Sequence, residues 1–387
     1  MPTPVLDDVK SRVYGLEAAV AERAVILLDK LSRCTLRPYV LTSSVTDLAQ
    51  AAVTNMTQTD FANQSEGPFV VTKIRWFTAA SLGASAAGAL FANVTAMIAD
   101  TTAQFSFLKN ATNLAVLASL RNNTTFLDRP YVLDQLAAFF VQLTEGDAAG
   151  TTDVYVAFHG ETVAGDITAA EVREAIALGV YPLAGRLTSP WDQVLLVSTL
   201  FGQHPVRLRG EAEDILYRLR LRVAGLREVL RAADYTAYGL SSTTSNLTQN
   251  AITSMTREDF RNEHPGPFAI QRSRIVTVTT LNATAITALF SNVSVDMSSV
   301  DERYKLTDQF ALAPVLFSRA DNSWVYEHPH ILGERGPIQV DLQEQDINGT
   351  TDVVVTFLGE AVRHVSTADL RAAVALGLYP LMERVRN

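Results

Sequence analysis

Between residues 9 and 31 the apolar positions Val9, Val13, Leu16, Val20, Ala24, Leu27 and Leu31 fall at steps of three and four. That spacing is the seam of an amphipathic helix. Ile215, Leu219, Val223, Leu226 and Leu230 repeat it later in the chain. After each helical stretch the period changes to two. Phe69 and Val71, and again Phe268 and Ile270, alternate with other residues just after Gly67-Pro68 and Gly266-Pro267, as half-buried strands do after a stop signal. Val154, Val156 and Phe158 recur as Val353, Val355 and Phe357, while Ile338, Val340 and Leu342 alternate with Gln339 and Asp341. These last two runs of the second half are expected to form a closing antiparallel pair. Arg121 to Thr125 and Arg319 to Ser323 lie between apolar runs and read as hairpin turns. Short closing helices follow, with Thr168 and Glu171, or Ser366 and Asp369, as capping pairs, and with Gly179 and Gly377 as stops.

The pattern is a repeat. Asn55 to Phe69 matches Ser254 to Phe268, Leu82 to Val94 matches Leu281 to Val293, and Gly150 to Val163 matches Gly349 to Val362, all displaced by 199 positions. Unrelated stretches agree at about one position in fifteen; here roughly every second position agrees between Leu48 and Val94 and its partner. A unit of helical lead-in, sandwich and closing helix has therefore been duplicated in tandem. Short, turn-marked strands without intervening long helices predict antiparallel packing rather than a βαβ sheet. The expected fold is mainly β with helical lead-ins: two tandem antiparallel β-sandwich domains of the jelly-roll kind. The boundaries fall at 1–187 for the first unit, 188–205 for a connector containing Ser189-Pro190-Trp191-Asp192, and 206–387 for the second.

Composition narrows the chemistry. A chain of 387 residues with 48% hydrophobic content fills two ordinary cores. Its net charge of -9 and lack of a dense Lys/Arg run argue against direct nucleic-acid binding. Arg218, Arg220, Arg222, Arg227 and Arg231 make the second lead-in basic, which reads as a solvated or subunit-facing surface. No membrane partner is expected, because no apolar run reaches the ~18 residues of a span. The start shows no signal peptide, so synthesis in a cytoplasm is expected, and the Asn-x-Ser/Thr triplets at Asn55, Asn93, Asn246 and Asn348 then reflect composition. The lone Cys34 excludes an internal disulfide and reads as a small buried hydrophobe.

Candidate catalytic groups fail to assemble. His328-Pro-His330 could present two imidazoles, but the first unit carries Arg129-Pro-Tyr131 there and no further ligand is marked. His159 is replaced by Leu358 in the second unit and reads as a surface histidine at a strand end. Asp60 and Asp259, Asp153 and Asp352, and Glu161 and Glu360 are paired across the repeat; a glycosidase needs two carboxylates, yet the aspartates sit where caps and turns form. Trp76, Trp191 and Trp324 occupy non-equivalent places and read as packing rather than a sugar platform. There is no GxSxG, Walker-type or GxGxxG motif. The expectation is no enzyme, no metal and no cofactor.

The Gly-Pro-Phe start of a strand, the Pro130 to Leu133 and Pro329 to Leu332 steps, the Gly-Thr-Thr-Asp turn and the strand closing on a glycine together resemble β-sandwich structural proteins of bacteriophage virions. That resemblance implies a capsid, minor capsid or capsid-decoration protein located in the virion, with other copies of itself and other virion proteins as partners. Two rolls in one chain also resemble the double jelly-roll capsid proteins, in which three chains imitate a hexamer; the long helical lead-ins depart from them. The alternative from another class is a carbohydrate-binding or adsorption module of a phage tail, which needs exposed aromatics on one sheet face. Subunit contacts are expected through Val13, Leu16, Val20 and Leu27, and through Leu219, Val223, Leu226 and Leu230, since a seam of this width must be covered. The competing expectation is that each helix folds back onto its own unit.

Overall fold

A computed structural model describes residues 19–379 apart from 45, 49–51, 81–92, 101–104, 108–110, 118–122, 147–151, 182–210, 244, 248–250, 279–292, 302, 318–321 and 345–351. After helix α1 (19–32) the first half forms two facing sheets. One runs β1 (Thr35–Thr42), β10 (Thr152–Ala164), β4 (Phe69–Ala80), β8 (Thr124–Leu133), with β2 (Thr46–Leu48) also on β10. The other runs β3 (Val53–Asn55), β9 (Phe139–Glu145), β5 (Val94–Asp100), β6 (Phe105–Ser106), with β7 (Thr112–Asn113) also on β5. Helices α2 (Leu114–Leu117) and α3 (Ala169–Ala177) complete the half.

The second half repeats this order after helix α4 (Glu211–Ala232). Its first sheet runs β11 (Asp234–Ser241), β20 (Asp352–Arg363), β14 (Phe268–Val278), β18 (Ser323–Leu332), with β12 (Ser245–Asn246) on β20. The facing sheet runs β13 (Ile252–Ser254), β19 (Ile338–Glu344), β15 (Val293–Ser299), β16 (Tyr304–Lys305), with β17 (Ala311–Leu312) on β15; helices α5 (Ala313–Leu316) and α6 (Thr367–Ala375) follow the pattern of α2 and α3. In each half the first strand lies beside the last and the chain alternates between two antiparallel sheets, as in a double-sheet jelly roll. The mainly β, antiparallel sandwich fold expected from the alternation is the fold observed.

Alternation explains the cores. Phe158 of β10 stacks on Phe139 of β9 across the sandwich, with ring centroids 4.3 Å apart. Phe61 meets Phe158 edge-on at 5.4 Å, and Phe260 meets Phe357 in the same way at 5.3 Å. One expectation needs correction: β19 and β20 are not a pair. β19 bonds β13 and β15, whereas β20 bonds β11 and β14. Period-two alternation identifies the buried face of a strand but not its neighbour, and these two strands bury their faces against each other from opposite sheets.

The glycine that ends each VxVxF strand has a steric cause. A Cβ on Gly160 would lie 1.9 Å from the Val70 carbonyl oxygen, and one on Gly359 would lie 1.9 Å from that of Ala269. The ladder slips here, leaving Thr72 of β4 as the extra residue of a β-bulge, and Gln271 of β14 likewise. Beyond the slip, His159 and Glu161 of β10 face outward from the sandwich.

The closing helices begin as predicted: Thr168 and Glu171 form a reciprocal capping box, and the Ser366 hydroxyl accepts from the Asp369 amide. Gly179 and Gly377 end them in the left-handed region, at φ 73° and 66°. The expected turns at 121–125 and 319–323 follow short helices α2 and α5 rather than strands; Asn123 and Asn322 take positive φ, and the preceding residues lie outside the described ones. So do the repeated stretches from Leu82 and Leu281, and the division of the chain at 188–205.

The lead-in seams close a second apolar core. Leu27, Leu28 and Leu31 pack with Val172, Ala175 and Tyr181 of their own half, and Leu219, Val223, Leu226 and Leu230 pack with Leu370, Val374 and Leu378 of theirs, in one continuous cluster. Arg23 pairs with Glu174 at 2.8 Å and Lys30 with Glu171 at 2.8 Å, fastening α1 to α3. Leu27, Leu219, Val223, Leu226 and Leu230 are buried within their own chain. Val20 stays half exposed, and Val13 and Leu16 lie outside the described residues.

Candidate functional site

The polar groups that stand out lie in a buried seam between the two halves. Its floor is the outer face of the first-half sheet β1–β10–β4; its roof is α5, the loop after β16, and β18 of the second half. The edge strand β1 is completed there: the Val40 amide donates to the Leu306 carbonyl and the Asp308 amide donates to the Val40 carbonyl, both at 3.1 Å. Val40 and Thr307 form an isolated parallel bridge. An unpaired sheet edge is a liability, and here the other half blunts it.

Around that bridge the side chains interlock. The Tyr39 hydroxyl donates to Asp308 at 3.1 Å, and the Tyr304 hydroxyl donates to the Pro38 carbonyl at 2.8 Å. The Arg37 guanidinium lies 4.7 Å above the Tyr304 ring. On β4, Arg75 donates to the Leu316 carbonyl at 2.7 Å, at the end of α5, and Lys73 pairs with Glu327 at 3.2 Å. The bulged Thr72 aims its hydroxyl at the same Glu327, 3.3 Å away. Arg222 of α4 donates to the Ser32 hydroxyl at 3.0 Å, so the helical layer crosses the seam as well.

Three buried histidines mark the centre. His159 is not at the surface, as its sequence position implied; it is 1% exposed in mid-strand, and its Nε2 lies 2.9 Å from the Val315 carbonyl. The carbonyl only accepts, so Nε2 carries the proton, and Nδ1 has no hydrogen-bond partner among the described residues. Burial, reinforced by Arg75 and Lys73, pushes this imidazole well below the usual histidine range. Burial and Arg37 push His330 down to about 3. For His328 burial also opposes the charge, but Glu161, whose carboxylate lies 2.5 Å from Nδ1, overrides it and raises the pKa. The other Glu161 oxygen accepts from the buried Tyr181 hydroxyl at 2.6 Å. His328 and His330 thus diverge into separate environments instead of converging on an ion. No group of three or more His, Cys, Asp or Glu suited to a metal occurs among the described residues.

Asp60, Asp259 and Glu360 have structural partners. Asp60 accepts from the amide and hydroxyl of Ser44, both at 2.8 Å, and Asp259 accepts from the Thr243 amide at 3.1 Å, so each pins the loop after its edge strand. Glu360 accepts from Tyr379 at 2.8 Å. Asp153 and Asp352 sit at the start of β10 and β20. Trp76 and Trp324 are buried, Trp191 lies outside the described residues, and Cys34 is buried with its thiol pushed up to about 11 by burial. Arg218, Arg220, Arg222 and Arg231 are exposed on α4, and Arg227 is half-buried. A hollow beside Arg37, His330 and Arg371 measures about 10 Å³, room for one water.

No protein-family model matches the chain. No curated protein matches it either. Among solved structures, the VP2 subviral particle of infectious bursal disease virus is 8% identical, with 89% of this chain and 75% of that one covered, at a TM-score of 0.19. The structure of Sulfolobus turreted icosahedral virus gives 7% identity, 83% and 60% coverage and a TM-score of 0.17. The vicilin of hazelnut, Corylus avellana, gives 8% identity, 85% of both chains and a TM-score of 0.14. Likenesses this distant, spread over viral particles and a seed protein alike, carry no weight for function.

Proposed function

We propose that this chain is a structural component of a virus particle, of the capsid, minor capsid or capsid-decoration kind found in bacteriophages, and that it works through subunit contacts. One observation carries the reading: three histidines with displaced pKa values, of a kind that in an enzyme line an open cleft, are here closed into a seam that locks two sandwiches together. His159, His328 and His330 are all buried against protein. A rigid double sandwich with a helical layer suits lateral packing, where polar rims and fixed geometry set the neighbour. Its partners are other copies of the chain and other virion proteins, its location the virion, and it needs no catalytic residue, cofactor or direct nucleic-acid contact. The sugar-binding alternative gains nothing from Trp76 and Trp324, whose rings are buried. Quantitative mass spectrometry of virions purified from the producing host tests the proposal. The expected result is a stoichiometric component of the particle; absence at that level overturns it.

A further inference from the structure

The seam joins two unlike surfaces, and because the second half repeats the first, one example of each surface is left uncovered among the described residues. Position 239 stands in β11 where Val40 stands in β1, with the same register against the last strand. Val40 is fully buried and hydrogen-bonded by the second half, whereas Gly239 is exposed and β11 has only β20 beside it among the described residues. Around it Ala237, Ser241, Arg272 and Arg274 are exposed, where Pro38 and Thr42 are buried and Lys73 and Arg75 are engaged. This is the socket of the seam without its occupant. The occupant's counterpart is equally bare: Val315 at the tip of α5 is 0% exposed, but Val116 at the tip of α2 is 78% exposed. Arg129 is exposed on β8 where His328 is buried on β18.

The chemistry of the two bare faces is complementary in the same sense as the seam. Arg274 matches Arg75, which donates to the Leu316 carbonyl at the end of α5; the equivalent Leu117 carbonyl of α2 accepts from the Thr125 hydroxyl at 2.8 Å and keeps a second lone pair for a partner. Glu360, held by Tyr379 as Glu161 is held by Tyr181, faces the position that Arg129 would occupy as the cationic counterpart of His328. A half-buried glutamate and an exposed arginine thus replace the Glu161–His328 pair. The contact is heterologous, since knob and socket are different surfaces, so it propagates from copy to copy and ends only where a ring closes.

We propose that a second copy of this chain seats the α2–β8 face of its first half on the β11–β20–β14 face of the second half, repeating between molecules the seam made within one. This deepens the assembly reading above and rests on it for its biological setting. The test uses the full-length chain in sedimentation equilibrium, with Val116→Asp as the knob variant and Arg272→Glu/Arg274→Glu as the socket variant. All three positions are exposed, so each variant should melt as the wild type does. The wild type is expected to self-associate, and each variant alone to lose self-association by about thirtyfold or more, the loss of a central interface anchor. An equimolar mixture of the two variants should form a one-to-one dimer that grows no further, because it holds one intact knob and one intact socket. A wild type that stays monomeric at every soluble concentration, a variant that associates as the wild type does, or a mixture that stays monomeric overturns the proposal. If that happens while virions contain the chain, these faces are wrong and the assembly reading stands; absence from virions with intact self-association means the reverse.

Discussion

The outer faces of the sheets β1–β10–β4 and β11–β20–β14 have the same strand order and opposite fates. The first is buried along nearly the whole of β1, while its counterpart β11 is mostly exposed. Sequence follows burial: Pro38, Val40 and His159 on the covered face stand opposite Ala237, Gly239 and Leu358 on the open one. The two halves thus keep their inner core and caps in common and diverge where only one of them meets the other. Differences between repeats report contacts that agreements conceal.

The two faces should differ most at their paired glutamates. Glu161→Gln leaves His328 and Tyr181 buried with a neutral partner, and losing one member of a buried charge pair costs roughly 3–5 kcal/mol. Glu360→Gln, with its half-exposed site, should cost about 1 kcal/mol, the net value of an ordinary hydrogen bond. Urea denaturation of both variants measures the gap; equal losses would mean that the seam adds nothing to Glu161.

The second effect is acid sensitivity confined to the seam. His159 and His330 have folded-state pKa values below the unfolded value of about 6.5. The unfolded chain therefore takes up protons that the folded chain refuses, and stability falls as the pH drops below about 6.5, continuing toward about 3 for His330. Each such histidine removes about 1.4 kcal/mol per pH unit over that window. His328 acts in the opposite sense: its raised pKa gives stability that is complete below about 6.5 and fades as the pH rises through its folded value. Denaturation at pH 7 and pH 5 should show a steeper loss in the wild type than in His159→Leu/His330→Phe. Parallel losses would remove the two histidines as the cause.

Where the halves agree, mutation should not distinguish them. Gly160→Ala and Gly359→Ala both drive a methyl group into a carbonyl 1.9 Å away. Each should cost about 1–3 kcal/mol, the range for overpacking. The smallest paired effect belongs to the caps: Thr168→Ala and Ser366→Ala should each cost about 1 kcal/mol. Thermal melts of the four variants check this symmetry, and an imbalance within either pair would show that the shared core is not shared in energy.

Local rules carried much of the fold into the sequence. Capping pairs, left-handed glycines and period-two strands each depend on neighbours within a few residues, and they read correctly at Thr168, Gly377 and Phe357. Pairing partners did not, because β19 and β20 display the same alternation whether they share a sheet or face each other. The lead-in helices showed their seam but not its cover, which comes from closing helices more than a hundred residues away. The burial of His159 is hidden from local rules for the same reason: it depends on Val315, 156 residues later. The signal in the sequence lies in the repeat, where His159 aligns with Leu358 and Arg129 aligns with His328. A lost equivalence between the halves marks a contact made by only one of them.

The bridge at Val40 also sets a clock on synthesis. Its neighbour Tyr39 waits for Asp308, 269 residues downstream, and at about 5–20 residues per second the ribosome needs roughly 15–50 s to supply it. Once β10 has been made, and until Asp308 follows, the nascent first half presents an open β edge and an uncovered Glu161 to its surroundings. A neighbouring nascent chain on the same polysome could reach that edge before its own second half does. The order of translation, and not only the final geometry, therefore bears on whether the seam closes within one molecule or between two.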